Sequence, residues 1–117
     1  MERLSELTEA LADQLPYGVI ELDREGFVRL YNAVESEFAR RKKDDVLGQH
    51  FFDDVAPCAR LKELDVQFNE LVRNGVTDRR ELDFVFAFET GAVYVHIVLC
   101  HDELTGKTTL LVQPIDS

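Results

Sequence analysis

The thiols, histidines and one tyrosine–glutamate pair are the side chains of this chain best suited to chemistry. The most specific placement is Asp53-Asp54-Val55-Ala56-Pro57-Cys58, which sets a thiol directly after a proline. Pro57 fixes its own φ and biases Ala56 towards an extended conformation. A helical pattern begins at once downstream, so Cys58 stands just ahead of a helix start. The positive end of a helix dipole stabilises a thiolate there. That chemistry suits the attachment of a covalent ligand. A lone cysteine is more often a small buried apolar residue, so the surrounding sequence has to decide.

Tyr31 and Glu35 are four positions apart and can face the same space. Taken singly, Tyr31 reads as a strand-end aromatic and Glu35 as a surface helix residue. His96 has no partner at metal-ligand spacing and reads as an ordinary strand residue. Cys100 and His101, at a strand end, read as structural. Arg40 and Arg41 read as solvated charges. No His or Asp lies at a motif spacing that would make Cys58 the nucleophile of a thiol enzyme, so the chain is not expected to be an enzyme.

The elements that must position these residues follow from periodicity. Leu4, Leu7, Leu11 and Leu15 recur at helical spacing, giving an amphipathic helix within residues 1–16 that ends before Pro16. Gly18–Asp23 and Phe27–Tyr31 read as a hairpin around Asp23-Arg24-Glu25-Gly26. Asn32 caps a short helix with Val34 and Phe38 on its apolar stripe and Glu35 at the core margin. Residues 40–45 form a charged, solvated run. Val46, Leu47 and Gly48 suggest another short turn of helix stopped at Gly48. Phe51 and Phe52 enter the core. Leu61, Leu64, Phe68, Leu71 and Val72 predict a helix from about Ala59 to Arg73, closed by Asn74-Gly75. Leu82, Phe84, Phe86 and Phe88 alternate as on a half-buried strand, as do Val93, Val95 and Ile97, and Leu110–Val112 forms the last strand. Hairpins between neighbours make an antiparallel sheet with helices on one side, an α+β domain.

Composition bounds the function. At 117 residues and 45% apolar the chain suits one domain with one core. Its formal charge of −10 argues against nucleic acid and anionic membrane surfaces as partners. The N-terminus lacks the cationic start and apolar run of a signal peptide, and two cysteines read as reduced thiols in the cytoplasm.

The order of elements resembles a PAS domain, here a single domain with the helix 1–16 as an N-terminal cap and a core over 17–117. Within the PAS domains the chain resembles the photoactive yellow protein family. The matching stretches are Tyr31-Asn32-Ala33-Val34-Glu35, Val95-His96 and, more specifically, Gly48-Gln49-His50-Phe51-Phe52-Asp53-Asp54-Val55-Ala56-Pro57-Cys58. The resemblance covers nearly the whole chain. It implies p-coumaric acid bound as a thioester at Cys58, with Tyr31 and Glu35 hydrogen-bonding its phenolate. Arg41 matches, by its spacing from Glu35, the arginine that screens the pocket, and Phe51 and Phe86 would line that pocket. The family's light response implies isomerisation and proton transfer from Glu35.

The chain also departs from the family. Ala39 stands where the family has a threonine that hydrogen-bonds the tyrosine. The turn at Thr90-Gly91 is shorter by about two residues, as alignment of the flanking strands suggests, and a methionine of that loop is missing. The N-terminal cap is also shorter. The runner-up expectation is therefore a PAS module without pigment, which senses another ligand or only dimerises and holds a partner. With no output domain after residue 117, either reading needs a separate downstream signalling protein. The N-terminal helix is a candidate surface for a homodimer.

Overall fold

The computed structural model describes residues 14–39, 42–55, 64–88 and 91–114. Strand β1 (Gly18–Leu22) is buried along its whole length. Apolar residues at successive positions mean that both faces of this strand are covered. Asp23 then turns the chain. Its Oδ1 accepts from the N–H groups of Glu25 and Phe27, each at 3.0 Å, the local bonding that makes aspartate a turn residue. Strand β2 (Val28–Tyr31) returns antiparallel. The register slips between Glu21, which faces Leu30, and Leu22, which faces Val28. Arg29 is the extra residue of this bulge. The bulge lets Val28 and Tyr31, three apart, both enter the core.

Helix α1 (Ala33–Ala39) starts where Asn32 caps it, as the sequence predicts: Asn32 Oδ1 accepts the Glu35 N–H at 2.9 Å. Helix α2 (Lys43–Val46) begins earlier than the turn expected at Val46, so part of the charged run is helical. Asp44 and Asp45 fall in its first turn, where carboxylates suit the positive end of a helix. Gly48, at φ 83°, ends this region as expected. Phe51–Val55 then form a π-helical turn that the residue pattern does not predict. The His50 carbonyl accepts from both Asp54 N–H at 2.8 Å and Val55 N–H at 3.3 Å. This wide turn buries Phe51, Phe52 and Val55. Helix α3 (Leu64–Asn74) closes at Gly75, whose φ is 64°, one residue later than expected. The expected beginning of that helix, with Ala59 and Leu61, lies outside the described residues.

Strands β3 (Asp78–Phe88), β4 (Gly91–Asp102) and β5 (Lys107–Pro114) complete a five-stranded antiparallel sheet of order β2-β1-β5-β4-β3. All three are longer than hydrophobic alternation alone suggests. Phe88 pairs with Gly91, leaving two positions between paired residues, in line with the short turn read from the sequence. The fold is the expected α+β arrangement.

One face of the sheet meets the helices. There Ile20, Leu22, Tyr31, Val95, Ile97, Leu99, Leu110 and Val112 pack with Phe51, Phe52, Leu64, Phe68 and Leu71 in one buried cluster. On the other face Val19 and Leu30 pack with Leu15, Tyr17 and Leu111. The helix expected over 1–16 lies mostly outside the described residues. Gln14–Tyr17 form a turn and bends, in line with a helix expected to end before Pro16. The ring of Pro16 disfavours a helical Leu15. Among the described residues no helix is long and apolar enough to cross a membrane.

Candidate ligand site

Asn32 assembles the site. It is fully buried, and its side chain makes three bonds. Oδ1 accepts from Val19 N–H at 2.9 Å and from Glu35 N–H at 2.9 Å, while Nδ2 donates to the Tyr17 carbonyl at 3.0 Å. The Asn32 N–H itself donates to the Val19 carbonyl at 3.1 Å. One side chain thus caps α1, fastens it to β1 and ties down the stretch that leads into β1.

This tether turns Glu35 inward. Its side chain is only 3% exposed, whereas Val34 is half-buried. That corrects the expected pattern, in which Val34 formed the apolar stripe and Glu35 stood at the margin. The reason is the cap: Asn32 fixes the rotation of α1 through the Glu35 N–H, and that rotation aims the carboxyl at β1. Glu35 Oε1 is buried and has no hydrogen-bond partner among the described residues. Burial pushes the carboxyl up to about 8. Glu35 is therefore a neutral acid at pH 7, able to donate.

Tyr31 ends β2 opposite Ile20 and is 1% exposed, in the same buried cluster as Phe51. The structure thus buries Tyr31, Glu35 and Phe51 between the helices and the sheet. Phe86 stands opposite Val93 in the β3–β4 register, and its side chain lies outside the described ones. Cys58 and Arg41 also lie outside the described residues, as does the Glu89-Thr90 part of the short turn.

The remaining candidates occupy other places. His101 is fully buried, with Nδ1 2.8 Å from Thr108 Oγ1 and Nε2 3.3 Å from Glu103 Oε2, a bracing role. Burial raises the Cys100 thiol, which makes it a poor nucleophile at neutral pH. His96 is more than an ordinary strand residue. Its Nδ1 lies 2.8 Å from Asp83 Oδ1 and its Nε2 3.1 Å from Glu81 Oε1. Among the described residues no three ligands converge to hold a metal ion.

Gly18 and the second bond of Asn32 do not emerge from the sequence. Asn32 left a signal, because a cap residue beside a strand end has a spare acceptor lone pair and an amide to place. Gly18 left none, since its importance lies in a contact with a residue 17 positions away.

Residues 6–110 match the model of the PAS fold. The chain is 36% identical over 95 residues to the photoactive yellow protein of Rhodothalassium salexigens, covering 80% of this chain and 76% of that one. The chain belongs to the photoactive yellow protein family of PAS domains. It is also 37% identical over 90 residues to the photoactive yellow protein of Rhodobacter capsulatus, covering 77% of this chain and 72% of that one. Among solved structures it resembles the photoactive yellow protein domain of the sensor histidine kinase Ppr from Rhodospirillum centenum. The TM-score is 0.86 and the identity 31%, over 94% of this chain and 96% of that one. Membership makes this a sensory module of the photoactive yellow protein type.

Proposed function

We propose that the chain is a blue-light receptor that holds p-coumaric acid as a thioester on Cys58. The observation that carries this reading is the Glu35 carboxyl, buried and protonated with one oxygen unpartnered among the described residues. An anionic oxygen in an apolar interior needs strong donors, because an unpaired buried charge is costly. A neutral acid and a phenol are two such donors, so Glu35 and Tyr31 fit the phenolate end of this ligand. Cys58 would hold the carbonyl end, Phe51 and Phe86 would line the body, and Arg41 would screen the ring from water.

When bound, the pigment supplies a double bond that light can isomerise. The chain's own residues supply the rest. Glu35 would hold its proton in the dark and pass it from the carboxyl to the phenolate oxygen once that oxygen moves. The carboxylate left behind is a charge in an apolar interior and favours opening towards water. Asn32 joins Glu35 to Tyr17, so the opening reaches the stretch before β1 first. The signal then passes to a separate signalling protein. Residues 17–117 act as the receptor core in the cytoplasm, and residues 1–16 act as its cap and as the candidate homodimer surface.

The tight β3–β4 turn and Ala39 favour a second reading, a PAS module that senses another ligand or only holds a partner. One experiment separates the two. The protein is mixed with activated p-coumaric acid and followed by absorbance and intact mass. The receptor reading expects visible colour and one added coumaroyl group, lost in Cys58→Ser and kept in Cys100→Ser. A protein that stays colourless at the mass of the free chain supports the second reading. An adduct that survives Cys58→Ser overturns the assignment of the thiol.

A further inference from the structure

Gly18 lies on β1 opposite Val112, on the face that meets the helices. A Cβ built on it would fall 2.2 Å from Glu35 Oε1, 3.1 Å from Glu35 Cδ and 3.2 Å from Glu35 Cβ. Real Cβ contacts as short as the first do not occur, so the carboxyl occupies the space a side chain at position 18 would fill. Swinging the carboxyl end away would leave the contact with Glu35 Cβ in place. That Cβ is anchored to α1, and α1 cannot back away freely. Val19 N–H and Glu35 N–H, one from each side, donate to the same Asn32 Oδ1. The backbones on both sides of the contact are therefore held to one another.

We propose that Gly18 is a positioning residue for Glu35: its bare α-carbon leaves the notch in β1 that seats the carboxyl, and so sets where Glu35 meets a bound ligand. The proposal rests on the reading of Glu35 as the phenolate donor. It gives a reason for glycine at the start of a fully buried strand, where glycine otherwise leaves a strand without a side chain to pack. The notch also explains the sequestration of Oε1. With the carboxyl seated against backbone, water cannot reach it.

The test does not depend on the pigment. In the full chain without ligand, the Glu35 carboxyl is titrated by carbon NMR, and folding equilibria are measured for Gly18→Ala, Glu35→Ala and the double variant. The proposal expects Gly18→Ala to bring the titration midpoint down from about 8 by at least one unit, as the displaced carboxyl reaches water. It also expects Gly18→Ala to reduce the folding constant at least tenfold more with Glu35 present than in the Glu35→Ala background. If Gly18→Ala alone does not fold, recovery of folding in the double variant supports the notch, and failure of both overturns it. An unchanged midpoint, or an equal cost in both backgrounds, overturns it too. Reconstitution with activated p-coumaric acid then probes the ligand separately: pigment uptake with a shifted spectrum in Gly18→Ala extends the notch to the ligand. A chain that takes up no pigment sinks the receptor reading and leaves the notch standing.

Discussion

Glu35 and His96 sit on opposite sides of one sheet, and both titrate above their ordinary values for opposite reasons. Glu35 is raised by burial, with one oxygen lacking any partner among the described residues. His96 is raised by its hydrogen bond to Asp83 and then by that to Glu81, at a site open to solvent. The first shift favours a group's neutral form, and the second favours a group's charged form. On the helix-facing side of the sheet burial penalises the carboxylate and so favours the proton-bearing form. The other side holds a proton between partners that gain from it. At Glu35 loss of the proton would leave a buried carboxylate, a charge the closed fold disfavours.

Replacing Glu35 breaks the comparison most strongly. Its folded value of about 8 stands above the unfolded 4.5, so the folded chain binds more protons between these values. The stability tied to this group is fully present below pH 4.5 and is lost as pH rises towards 8. The slope approaches about 1.4 kcal/mol per pH unit. Glu35→Gln removes it. Denaturation of the two proteins should show the variant gaining roughly 3 kcal/mol on the wild type between pH 5 and 7.5. Parallel curves would place the carboxyl in water. In the reconstituted protein the same variant should absorb at longer wavelength, because an amide is a weaker donor to the phenolate and stabilises the ground state less.

Asn32→Ala loosens the seat without touching the acid. It removes a helix cap and strands the buried Val19 N–H and Tyr17 carbonyl. The expected loss is about 2–4 kcal/mol, summing a cap and unsatisfied buried groups. Glu35 should then titrate closer to 4.5. A stable Asn32→Ala protein with an unchanged midpoint would show that β1 alone seats the carboxyl.

His96→Gln should matter least. The raised histidine contributes stability that is present below pH 6.5 and fades as pH passes its folded value. Asp83 and Glu81 face it from β3, Arg79 competes for Glu81, and the neutral Gln113 lies opposite on β5. The variant's deficit should be small, visible only at low pH, and reduced by added salt. A deficit that grows above neutral pH would reverse the assignment of charge.

The same two regions show what could be read from residues alone. Alternation in Val93–Ile97 and in Leu82–Phe88 located β3 and β4, because a sheet with one buried face writes its period into the sequence. Asn32 and Gly75 marked helix ends, because caps depend on residue type at one position. The π-helical turn at Phe51–Val55 carried no such mark, since five residues are too few for a period. The depth of Glu35 was hidden as well. It depends on an absent side chain at Gly18 and on a bond from Asn32 that reaches across two elements. The His96 clasp was hidden for a similar reason: Asp83 and Glu81 lie 13 and 15 positions away and meet it only through strand register.

The order of the strands has a consequence for how the protein comes into being. Hairpins β1–β2 and β3–β4–β5 join near neighbours, but the seam between β1 and β5 pairs Gly18 with Val112, 94 positions later. A growing chain can shape both halves before this seam closes, and long-range pairing is the slow part of such folding. Until then the Glu35 side chain is in water and, at neutral pH, ionised. Closing the seam therefore consumes a proton from the medium, so the last step of folding grows easier as the medium becomes more acidic.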